Sequence, residues 1–236
     1  MPRTDAVDPM RTAERPHRRW DDHGIGYAIV LGLLIVSYVL CATQPSTDPS
    51  PWAFLAMLAT VAIVFHVTRA RHLVQRVSWV VLSVAGAAAL IATAFGIEGP
   101  VLAIPLSAAS MLALLVAPWA IIAHQVTRRG LDLEALLAAI TAYILVGMFF
   151  AFVYNLISQI SPVPMFGEES PDSLGNQLFF SFTALTTTGY GNLVPVGPGG
   201  QALAIAEAIT GQIFLITAVA RIMRGSSAKR ETPAAS

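Results

Sequence analysis

The sequence predicts an all-α membrane protein: six transmembrane helices, with a short re-entrant helix and a glycine-rich strand between the fifth and the sixth. Three observations lead there. The chain of 236 residues is 55% hydrophobic and 12% charged, with mean hydropathy +0.66, whereas a soluble domain usually carries about 25% charged residues. Six apolar stretches each approach the ~20 residues needed to cross a bilayer. The basic residues then fall on a single side of the path these stretches trace.

The stretches run 24–43, 52–68, 77–97, 101–123, 133–159 and 200–223. The first follows basic residues, as a signal peptide would, but its apolar core is too long and no small-x-small cleavage pattern follows in TQPSTDPSP. It is read as a retained span. Arg3, Arg11, Arg15, Arg18 and Arg19 precede it; Arg69, Arg71 and Arg76 lie between spans two and three; Arg128 and Arg129 lie between four and five. Arg221, Arg224, Lys229 and Arg230 complete the 14 Lys and Arg. All therefore share one face, while the opposite loops carry Asp48, Glu98, Glu168, Glu169 and Asp172. By the excess of Lys and Arg in cytoplasmic loops, both termini are expected in the cytoplasm, with the chain multi-pass in the cell (plasma) membrane. Trp20, Trp52, Trp79 and Trp119 each fall at a span end, where an interfacial aromatic belt would put them.

Four parts follow: a charged arm over 1–23, a four-helix membrane unit over 24–124, a unit from 131 to 223, and a short cytoplasmic tail over 224–236. The single cysteine, Cys41, excludes an intrachain disulfide and reads as an apolar span residue. His66 and His124 stand apart, without acidic or cysteine neighbours, and do not suggest a metal site. Span five is long, about 27 residues or ~40 Å of helix, with Asp132 and Glu134 in its first turn, where acids suit the positive helix end.

Between spans five and six lie about 40 residues, and loops of that length are usually functional. After the polar stretch SPVPMFGEESPD comes an apolar run, 173–185, too short to span. Ser170 as N-cap and Pro171 in the first turn would start a helix there. Thr-Thr-Thr-Gly-Tyr-Gly follows at 186–191. Such a strand at membrane depth is excluded unless its carbonyls line a water- or ion-filled path. Two glycines, open to φ values closed to other residues, and small hydroxylic neighbours let those carbonyls face inward.

This order resembles the potassium channel pore, and the chain as a whole resembles bacterial six-span, single-pore-loop potassium channels. The family's filter reads Thr-Val-Gly-Tyr-Gly, a known case of carbonyls replacing an ion's hydration shell; here the match is Thr187, Thr188, Gly189, Tyr190 and Gly191. The resemblance implies a pore domain over 131–223, with outer helix, pore half-helix, selectivity filter and inner helix. It implies potassium held by the carbonyls of Thr187, Thr188, Gly189 and Tyr190, with the Thr187 hydroxyl completing the innermost cage. Tyr190 would brace the strand, and the negative end of the half-helix would favour a cation. The assembly implied is a homotetramer among membrane lipids, with room for a separate regulatory subunit. No cofactor beyond the permeant potassium, no nucleic acid and no catalysis are expected.

Departures from the family pattern carry information. Thr188 stands where valine is usual, adding a hydroxyl that needs a partner. Asn192 stands where aspartate is common, and Phe179 and Phe180 replace tryptophans whose N–H groups tether the filter. Packing and hydroxyls should therefore hold the filter, with Thr183 and Thr188 as candidate partners and Thr183, Thr186 and Asn192 as the supporting positions. Glu207, well inside the last span, is by default a functional acid: it could hydrogen-bond the half-helix, tune the cavity potential or act as a proton-sensitive gate. Against these stands a structural acid, neutral or bonded to Thr or Gln neighbours behind the filter. Gly211 stands where the family often bends its inner helix, although helical glycine also serves close packing. The fourth span has no Arg, Lys or acid, so no charge is available for voltage sensing, and a channel without strong voltage gating is expected. Among rival classes, a potassium transporter subunit would need four pore repeats, and a non-selective channel usually lacks the tyrosine present at 190. A membrane enzyme or scaffold would show paired intramembrane acids or a metal cluster.

Overall fold

A computed structural model describes residues 21–43, 51–67, 133–168, 170 and 172–230, with scattered positions between 76 and 121. The named helices are α1 (Asp21–Ala42), α2 (Pro51–Val67), α3 (Leu133–Ile160), α4 (Leu174–Leu185) and α5 (Pro198–Arg230). Residues 110–118, inside the fourth expected span, are also helical. The third span, Trp20, Trp119, His124, Asp132 and the arm over 1–20 lie largely or wholly outside the described residues.

Among the described residues, two helices are long and apolar enough to cross a membrane, over Ala135–Ile160 and Pro198–Ala220, with mean hydropathies of 2.4 and 1.8. Gly26–Ala42 is apolar but shorter. An apolar run of this kind has one low-energy state in hydrocarbon, a helix that satisfies every backbone group within itself. The core between α1, α2, α3 and residues 114–118 holds Tyr27, Leu34, Met57, Phe65, Leu114 and Leu145. Inside it the Ser37 and Thr60 hydroxyls pair at 3.1 Å and pin α1 to α2.

The last helix differs from expectation at its far end: it continues past Met223 to Arg230. Ala228, Lys229 and Arg230 are good helix formers, and the next proline is Pro233. Its start is conventional, with Pro198 in the first turn.

The start of α4 is a correction. Helix begins at Leu174, not after Ser170, and its N-cap is Ser173, extended at φ −142° and ψ 153°, whose Oγ accepts from Asn176 N at 3.1 Å. The cause is Asp172. Its carboxylate accepts from Met165 N at 3.1 Å and from Ser158 Oγ at 2.5 Å, tying Asp172 to the C-terminal end of α3. Replacing Ser173 with alanine leaves the Asn176 amide uncapped. It should lower stability by about 1 kcal/mol, read as a fall in the thermal midpoint of the detergent-solubilised protein.

Between the two long helices, α4 runs antiparallel to α3 and parallel to α5. Ser158 meets Asp172, and Ser181 meets Gly147; along α5, Glu207 meets Ser181 and Gly211 abuts Leu185. From the other side α1 reaches the same helix, where Tyr38 and Phe182 pack edge to face at 5.3 Å.

Candidate functional site

Every α-helix leaves its last four carbonyls without an intrahelical donor, and α4 delivers three of its four to the segment behind it and the fourth to α3. Phe182 O accepts from Thr186 N at 3.0 Å, and Ala184 O from Thr187 N at 2.9 Å. Thr183 O accepts from both Thr188 N at 2.8 Å and Gly189 N at 3.2 Å. Leu185 O accepts from the Tyr143 hydroxyl of α3 at 3.2 Å. The amides of residues 186–189 are thus all consumed by the helix end. Among the described residues, no backbone amide is donated to the carbonyls of Thr187, Thr188, Gly189 or Tyr190.

The dihedral angles alternate in sign. Thr187, Gly189 and Gly191 have φ of +56°, +54° and +79°, while residues 188 and 190 between them stay negative. In an ordinary strand successive carbonyls point to opposite sides; reversing the hand of every second residue turns them toward one side. Positive φ was expected of the glycines. At Thr187 it was not, because a β-branched residue there is a genuine outlier, worth on the order of 1–3 kcal/mol of local strain. The segment lies exposed on the surface of the protomer from Thr186 to Asn192.

The side chains sort themselves as follows. Thr186 Oγ1 donates to Phe182 O at 2.7 Å, and the Thr186 and Thr188 hydroxyls lie 2.8 Å apart. Thr187 Oγ1 donates to Thr186 O at 2.7 Å. Thr183 supports the segment differently from expectation: its hydroxyl turns back to Phe180 O at 2.8 Å, and its carbonyl does the holding. Tyr190, 71% exposed, stacks on Phe179 at 5.8 Å between centroids. Phe180 instead enters a small aromatic core with Tyr154 and Phe166, at 5.1 and 5.3 Å.

Behind the segment, Glu207 and Gly211 are the two buried positions of α5 over residues 201–220, one helical turn apart and both against α4. Glu207 is 0% exposed. Its Oε2 accepts from the Tyr154 hydroxyl at 2.7 Å, and its Oε1 lies 2.5 Å from Ser181 Oγ. Gly211 faces the Leu185 backbone. Tyr143, Tyr154 and Ser181 escaped sequence reasoning. The available signal was Ser181, one small polar residue among the aromatics of LFFSFTAL, spaced from Leu185 as Glu207 is from Gly211.

Two long apolar helices thus bracket a short helix, and the carbonyls of 187–190 in its exposed C-terminal extension take no backbone amide among the described residues. Residues 138–225 match the family model described as an ion channel; this is the part containing most of α3, all of α4 and the following segment, and most of α5. The match supports an ion channel function, a membrane location and a non-enzymatic role. No curated protein and no solved structure matches the chain.

Proposed function

We propose that the chain is the subunit of a potassium-selective channel, four copies enclosing an axis lined by residues 187–191, conducting passively across the plasma membrane with both termini cytoplasmic. The observation that carries this reading is the backbone accounting at 186–191. Amides point back into α4, the sign of φ alternates, and the carbonyls of 187–190 take no backbone partner among the described residues. Free carbonyls turned to one side are the chemistry that replaces an alkali cation's hydration shell. One protomer supplies one such strip and leaves it exposed, which is costly for unpaired carbonyls at membrane depth unless copies close around it.

The outer surface of α5 supports the same arrangement. Ile205, Ile209, Ile213 and Ile216 are each more than half exposed in the protomer, an apolar stripe suited to partner subunits and lipid. The fourth span's lack of charge argues against strong voltage gating.

The test is flux from vesicles of purified protein under a potassium or a sodium gradient, repeated while the membrane potential is stepped. Potassium should pass in large excess over sodium, with weak dependence on voltage. Equal passage of both ions would overturn the selectivity, and a steep voltage response would overturn the gating statement.

A further inference from the structure

The polar chain behind the 186–191 segment specifies where its protons lie. Ser181 Oγ sits 2.7 Å from the Gly147 carbonyl oxygen and 2.5 Å from Glu207 Oε1. A hydroxyl carries one proton. The carbonyl can only accept, and an ionised carboxylate can only accept. If Glu207 were ionised, the single Ser181 proton would serve one of the two contacts, leaving two oxygens facing each other with no hydrogen between them.

A proton on Glu207 Oε1 removes the conflict. Tyr154 donates to Oε2, the acid donates to Ser181, and Ser181 donates to the Gly147 carbonyl. Each O–H then donates once, and the chain ends on a pure acceptor. The surroundings favour the same state. Glu207 is fully buried, its partners on α3 and α4 are the neutral hydroxyls of Tyr154 and Ser181, and no cation bonds it among the described residues. A buried charge without a partner is disfavoured.

We infer that Glu207 is a positioning residue, held as a neutral carboxylic acid, whose donation to Ser181 fixes α4 in register between α3 and α5 and so sets the 186–191 segment. The registry is legible in the spacing. On α4, Ser181 and Leu185 are one turn apart. They meet Gly147 and Tyr143 on α3, and Glu207 and Gly211 on α5, at the same spacing. Since Thr183, Ala184 and Phe182 carbonyls hold the amides of 186–189, a shift of α4 is passed directly to those four residues. The inference rests on the channel reading for its consequence, but not for the protonation itself.

Infrared spectroscopy of the reconstituted full chain at neutral pH tests the acid directly. The wild type should show a protonated carboxyl stretch that is absent in Glu207→Gln and shifted in Tyr154→Phe. Flux tests the positioning. Glutamine can donate its amide to Ser181 and accept from Tyr154, so Glu207→Gln should retain potassium flux within about twofold. Glu207→Ala strands two buried hydroxyls and should lose about tenfold or more. Absence of the acid band from wild-type protein that conducts potassium overturns the inference, as does a glutamine variant that loses flux as the alanine variant does. Should alanine prevent folding, the infrared comparison and the glutamine variant still decide. Wild-type vesicles that show the acid band and pass no potassium would instead sink the channel reading.

Discussion

Replacing Gly211 with alanine should disable the protein by separating α5 from the end of α4. A Cβ at 211 would lie 2.2 Å from the Leu185 carbonyl oxygen and 3.1 Å from both its carbonyl carbon and its Cδ1. The obstacle is backbone, and it is held from the other side by the Tyr143 hydroxyl at 3.2 Å. The two helices must part by about 1 Å to restore ordinary contact. Overpacking a close contact typically costs about 1–3 kcal/mol, occasionally more, and a rigid carbonyl places this site at the upper end. The expected result is a thermal midpoint lowered by several degrees and potassium flux reduced to background. Gly147 supplies the comparison. There an added Cβ meets the Phe182 ring tip at 2.8 Å, a side chain that can turn aside, so Gly147→Ala should be the milder change.

The same variant discriminates two roles for Gly211. A bending point would leave the folded protein intact under alanine substitution and change only how often the channel opens. A packing contact changes the folded protein first. An unaltered thermal midpoint in Gly211→Ala would refute the packing role, whatever the flux.

The long helices were legible in the sequence because an apolar run of membrane length has a single physical reading. The apolar stretches 24–43 and 133–159 coincide with the helices Asp21–Ala42 and Leu133–Ile160, of which the second is long and apolar enough to cross a membrane. The start of α4 was not legible. Ser170 and Pro171 satisfy the local preferences for a helix start, but Asp172 is claimed by Met165 N and by Ser158, 14 residues upstream, so a tertiary contact overrode a local rule. At the candidate site the glycines announced their conformation and Thr187 did not. Residue type forecasts where φ can be positive; only the bonds around Thr187 show that it is. Its amide is held by Ala184 O and those of Thr188 and Gly189 by Thr183 O. Likewise Glu207 was conspicuous as an acid in a span. Its partners Tyr154 and Ser181 depend on the register of three helices, which periodicity within any one helix does not determine.

The strain at Thr187 frames what a side chain at Gly189 should do. Valine there would adopt φ near +54°, and its Cβ would meet nothing within 4 Å, so steric crowding inside the protomer is not the issue. Thr187 holds a similar φ with a hydroxyl bonded to Thr186 O at 2.7 Å. Valine has the same branching and no hydroxyl, so the strain of about 1–3 kcal/mol is left without that local bond. In the proposed fourfold ring the penalty would recur in every subunit. Flattening φ relieves it, but that breaks the alternation of sign over 187–191. Gly189→Val should therefore keep the helical circular dichroism of the wild type while vesicles lose potassium flux and its excess over sodium. Retained potassium selectivity in this variant would show that alternation of φ at 187–191 is not what selects the ion. A collapse of helical content would show instead that the segment is part of the protomer's core, contrary to its exposed position.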